Sequence, residues 1–153
     1  MNFESVDEVI SFAIEKEKEA VAFYEDASSQ QIYSGARQPF QEFAREERKH
    51  QALLEEFAEN TQKLAEYEFK WIPDLKRSDY LVDAAYKPGM PYPDMLRLAM
   101  KREEKALALY NEFGEDPGDE EMTRLFRMLA QEEAKHKLAL ETIYDDFMAS
   151  QGD

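Results

Sequence analysis

The chain is 153 residues long, enough for a single domain with one substantial core. With 34 acids against 19 bases the formal net charge is −15, and an acidic surface of this kind repels nucleic acid and anionic membranes. There is no cysteine, which excludes disulfides, thiolate metal sites, iron–sulfur clusters and cysteine nucleophiles.

Residues 1–20 carry acids throughout and show no secretory signal. No apolar run approaches membrane-spanning length, so a cytoplasmic protein is expected. Only 5 glycines and 6 prolines occur, several of them where helices should end, so helix is the default reading.

In chain order, Ser5-Val6-Asp7-Glu8 has the form of a capping box. Val9, Phe12, Ala13, Ala20 and Phe23 then recur at helical spacing as far as Ala27. Gly35 and Pro39 punctuate the first connection, with Pro39 suited to a first helical turn. A second helix follows to about Tyr67, its buried stripe marked by Phe40, Phe43, Ala44, Leu54, Phe57 and Leu64. Residues 70–92 hold Pro73, Pro88, Gly89 and Pro91, which interrupt helical periodicity, though 78–84 suit a short helical turn. That connection is long for a helix pair and fits a crossover running from one end of a bundle to the other. A third helix is predicted from about Pro93-Asp94 to Gly114. The fourth begins after Asp116-Pro117-Gly118-Asp119 and carries Met122, Leu125, Leu129, Leu140, Ile143 and Phe147.

The two halves align at a constant offset of 86 residues. Glu17, Tyr24, Phe40, Ala44, Glu47, His50 and Leu54 match Glu103, Tyr110, Phe126, Ala130, Glu133, His136 and Leu140. The expected architecture is therefore all-α: a single domain over 1–153 in which hairpins at about 5–69 and 93–149, joined by the crossover at 70–92, pair as a four-helix bundle.

The chain has only two histidines, and each follows a glutamate by three residues: Glu47 with His50, and Glu133 with His136. On a helix that spacing puts both side chains on one face, about 5–6 Å apart at Cβ. Each half also supplies a glutamate from its first helix, Glu17 or Glu103. A Glu from each of two helices, with Glu-x-x-His from each of the other two, is the donor pattern of di-iron and di-manganese carboxylate bundles. Four buried carboxylates would repel one another, and two divalent cations neutralise them. The mixed carboxylate and imidazole set suits iron or manganese and gives calcium little use for the histidines.

Glu46 and Glu132 precede the ligands by one residue, about 100° off the inward face, and are expected to be solvated, as are Glu15, Glu19 and Glu104. Tyr24 and Tyr110 lie two turns beyond Glu17 and Glu103; each phenol either hydrogen-bonds a ligating carboxylate or simply packs in the core. Trp71 and the methionines are expected to pack.

With these residues assembled, the sequence resembles the ferritin-like superfamily, and within it the rubrerythrin-type di-iron proteins. The resemblance rests on the blocks from Glu17 to Tyr24 and Glu103 to Tyr110, on Glu46-Glu47-Arg48-Lys49-His50, and on Glu132-Glu133-Ala134-Lys135-His136. It implies that Glu47 and Glu133 bridge two metals, that Glu17 and Glu103 are terminal carboxylates, and that His50 and His136 are terminal imidazoles. Two departures follow. Rubrerythrins proper carry a four-cysteine rubredoxin-like domain, and a chain without cysteine must take electrons from a separate donor protein. They also place an extra glutamate where this chain has Ala106, so the resemblance does not extend to the ligand exchange linked to that residue. The ligand set is closer to that of bacterioferritin or manganese catalase.

The expected cofactors are two iron ions, with manganese open to the same ligands. The expected activity is reduction of hydrogen peroxide or dioxygen by an external donor. Ferroxidase and iron storage, a dimanganese catalase, and a bundle that uses metal only as a stabiliser are the alternatives; homodimerisation is left open.

Overall fold

The computed structural model describes residues 6–30, 34–57, 61–76, 87, 89–115 and 119–151. The capping role of Ser5, the helical turn at 78–84, Pro88 and the segment at 116–118 fall outside them. Helix α1 spans Val6–Ser29, α2 Ser34–Glu55, α3 Thr61–Glu66, α4 Tyr92–Phe113 and α5 Glu120–Gln151. No strand occurs among the described residues, and the four long helices are those the sequence periodicity predicts. No helix is long and apolar enough to cross a membrane among the described residues.

The chain divides into two compact units, 1–61 and 62–153. In the first, α1 and α2 form an antiparallel hairpin. Tyr24 stacks on Phe40 with ring centroids 6.1 Å apart, and Phe43 approaches the same tyrosine at 5.4 Å. Val9, Ala13, Phe23 and Ala27 of α1 are buried, as are Phe40, Ala44 and Leu54 of α2. The polar faces carry exposed i,i+3 pairs such as Lys18–Glu15 at 3.3 Å, each contributing a few tenths of a kcal/mol. Asp7 and Glu8 lie in the first turn of α1, where the helix dipole favours acids.

In the second unit α4 and α5 repeat the arrangement. Tyr110 stacks on Phe126 with centroids 5.8 Å apart, the counterpart of the Tyr24–Phe40 pair at the 86-residue offset. Met95, Leu96, Met100, Leu125, Leu129 and Leu140 fill the core. Asp119 caps α5, its side chain accepting from the Met122 amide at 3.0 Å. A turn precedes α4: the Met90 amide bonds the Lys87 carbonyl at 3.2 Å, and Gly89 takes a φ of 83° that favours glycine.

Several sequence expectations are corrected. Pro39 lies inside α2 rather than in its first turn, because the helix begins at Ser34 and takes in Gly35. The second helix does not run unbroken to Tyr67; α2 ends at Glu55 and a separate short helix, α3, spans Thr61–Glu66. Trp71 is not a packing residue, being 83% exposed on an extended segment. That segment, residues 67–76, belongs to the second unit and lies along α5.

Candidate metal centre

The helical hairpin of the first unit brings Glu17 from α1 together with Glu47 and His50 from α2. All three are buried, the glutamates to 2% and 1% exposure, although polar side chains seldom are. The i,i+3 step puts His50 Nδ1 3.4 Å from a Glu47 oxygen, and the antiparallel pairing brings the same nitrogen within 3.7 Å of Glu17 Oε2. Each residue offers a ligand atom within 4.8 Å of the others.

The second unit repeats this triad. Glu103 from α4 meets Glu133 and His136 from α5, all buried. His136 Nδ1 lies 3.8 Å from Glu103 Oε1 and 3.7 Å from Glu133 Oε2. Neighbouring ligand atoms held about 2.1 Å from one ion stand roughly 3 Å apart, so each triad needs only a small closure to grip a cation. All six residues singled out in the sequence therefore sit in one or other of two matched, buried triads.

Electrostatics point the same way. Burial, then the hydrogen bond with Glu47 and the charge of Glu47, together push the Glu17 carboxyl from 4.5 up to about 8 against the opposing effect of His50. A carboxyl that holds its proton to such a pH lacks compensating positive charge, which a divalent ion supplies. Two carboxylates and an imidazole form a hard-to-borderline set suited to iron or manganese. On that chemistry the residues fit a metal.

Tyr24 and Tyr110 are buried to 1% exposure and stack on Phe40 and Phe126, so core packing is established for both. Ala106, half-buried on α4, offers no ligand atom. Lys16, Lys18 and Lys49 pair with exposed acids on their own helices.

The expectation that Glu132 is simply solvated is corrected. Its Oε2 accepts a 2.6 Å hydrogen bond from the Tyr67 hydroxyl and pairs with Lys135 at 2.6 Å. Glu104 is likewise half-buried and pairs with Lys101 at 3.2 Å. A second polar cluster on α5 is invisible to the motif. Lys137, 3% exposed, bonds Asp74 at 2.5 Å and stands 3.4 Å from fully buried Glu141. Burial would lower the lysine, but the Asp74 hydrogen bond and the charges of Glu141 and Asp74 hold it above its ordinary value. The signal in the sequence is a break in the repeat: the 86-residue counterparts of Gln131 and Lys137 are Arg45 and Gln51.

A family model described as Rubrerythrin matches residues 2–80 and 94–152. Among solved structures, a hypothetical protein from Pyrococcus furiosus is similar, with 27% identity and a TM-score of 0.66. The match covers 93% of this chain and 89% of that one. No curated protein matches.

Proposed function

Because the chain belongs to the rubrerythrin family, we propose that its two triads together hold a pair of iron ions that reduce hydrogen peroxide or dioxygen. The observation that carries this reading is the repetition of one buried donor set, Glu, Glu and His, with the same spacing and nearly the same geometry in both halves. By the family resemblance Glu47 and Glu133 would be shared between the ions, while Glu17, Glu103, His50 and His136 would be terminal ligands.

When bound, the ions supply one-electron couples and Lewis acidity for a small oxidant. The protein's residues do the rest. Phe40 and Phe126, both fully buried with the tyrosines stacked on them, lie two helical turns from Glu47 and Glu133 and in the proposal help to keep bulk water out. Tyr24 and Tyr110 are in the proposal donors to ligating carboxylates, fixing their orientation. Glu17 retains a proton near neutral pH when no cation faces it and gives it up on metal uptake. Reducing hydrogen peroxide to two waters takes two electrons and two protons. In the proposal those two electrons would come from the reduced metal pair, and a separate donor protein would restore them.

The test is stopped-flow oxidation of the anaerobically prepared ferrous protein. Faster oxidation by peroxide than by dioxygen is expected. Comparable rates, or no reaction with either, would overturn the peroxidase reading. Manganese as the metal retained by protein purified from its native cells would overturn the assignment of iron.

A further inference from the structure

Residues 65–75 run along α5 and are fastened to it by polar contacts at Arg124, Gln131, Glu132, Lys137 and Glu141. Arg124 donates to the carbonyls of Ala65 and Tyr67 at 3.0 and 3.3 Å. The Gln131 amide reads the extended backbone, donating to Glu68 O at 3.2 Å and accepting from the Lys70 amide at 2.9 Å. The Tyr67 hydroxyl accepts from Gln131 at 3.0 Å and donates to Glu132 at 2.6 Å. Further along, Asp74 bonds Lys137, and the Leu75 amide reaches Glu141 at 3.4 Å.

These anchors bracket the ligand segment. With about 100° per residue, Glu133 and His136 span an arc of roughly 60° on α5. Glu132 then falls some 40° beyond His136 on one flank, and Lys137 as far beyond Glu133 on the other. A rotation of α5 that swings either ligand therefore strains the Tyr67 bond or the Asp74 bond. Apolar packing sets the helix axis, whereas a metal site requires its donors to be held within about 0.5 Å, which directional polar bonds achieve. On α2 the counterparts are tied only along their own helix among the described residues. Glu46 pairs with Lys49 at 3.1 Å, and Gln51 donates to Glu55 at 2.9 Å.

We propose that residues 65–75 form a strap that positions Glu133 and His136, with Tyr67 and Asp74 as its positioning residues, so that the ion ligated by His136 depends on the strap more strongly than the ion ligated by His50. The inference rests on the reading of both triads as metal ligands.

The test uses the cobalt(II) ion as probe on the full chain, titrated by calorimetry and visible absorption, for wild type, Tyr67→Phe, Asp74→Asn and the α2 control Glu46→Gln. Each strap variant is expected to weaken one of two cobalt ions about 10-fold, at the low end of the range for outer-shell partners, and to alter that ion's ligand-field band. The other ion should weaken by a clearly smaller factor, and the control should match wild type. Lowered melting temperature in both strap variants with unchanged affinities and bands would reduce the strap to a stabiliser and overturn the proposal, as would equal weakening of both ions. Failure of the wild-type chain to bind cobalt would remove the metal reading and this inference together, whereas normal wild-type uptake with unaffected variants overturns the inference alone.

Discussion

Glu17 makes the metal-free protein sensitive to pH in a direction opposite to that of most carboxylates. Its carboxyl is pushed from 4.5 up to about 8 by burial beside Glu47, so the fold favours the protonated form. Below about pH 4.5 the group is protonated in folded and unfolded chains alike, and this contribution is fully present. As pH rises toward 8 the unfolded chain releases a proton that the fold retains, and stability falls by about 1.4 kcal/mol per pH unit. Over the whole window the loss is on the order of 5 kcal/mol, and between about pH 5.5 and 7.5 it is about 2–3 kcal/mol. Glu17→Gln keeps the shape and removes the titration. Urea unfolding of metal-free wild type and Glu17→Gln at those two pH values should show the variant losing about 2–3 kcal/mol less than wild type. Calorimetry of metal uptake near pH 6.5, in two buffers of different ionisation enthalpy, should count one fewer proton released by the variant. Identical pH dependence in the two proteins would refute the argument that burial without a countercharge governs this carboxyl.

Two further outcomes are expected. Lys137→Met removes the cation beside fully buried Glu141, at a cost of about 3 kcal/mol in urea unfolding of the metal-free chain, and adding Glu141→Leu should recover most of it; a single variant that unfolds with wild type would contradict the pairing. Trp71, the chain's one tryptophan, should fluoresce as a solvated indole in the folded protein, and Trp71→Ala should shift stability by no more than about 0.5 kcal/mol; blue-shifted, quencher-protected emission would contradict its exposure.

The candidate ligands were legible because they are local and repeated. Glu47 and His50 share a helix face by spacing alone, and the 86-residue offset picks Glu17 and Glu103 out of an acid-rich chain in which most glutamates are surface residues. The same periodicity located α4 and α5 to within a residue or two. What escaped depends on contacts between segments distant in sequence. Nothing near Glu132 in the chain announces a tyrosine 65 residues away, so a one-step rotation off the face of Glu133 and His136 reads as solvent until Tyr67 is placed beside it. Lys137 follows His136 directly, and its burial is intelligible only once Asp74 and Glu141 surround it. Trp71 misled through its residue type: large aromatics usually bury, yet here the extended strap presents its backbone to α5 and leaves the indole outside. Apolar periodicity also continues past Glu55 in the sequence, which hid the break between α2 and α3.

The most direct test is the iron content of the chain after anaerobic reconstitution with ferrous iron, measured by elemental analysis on wild type and on Glu47→Ala/Glu133→Ala. Two irons per wild-type chain, both lost in the double variant while the helical circular dichroism persists, is the result expected of paired triads. A wild type that retains no iron, or a double variant that keeps both ions, would contradict it.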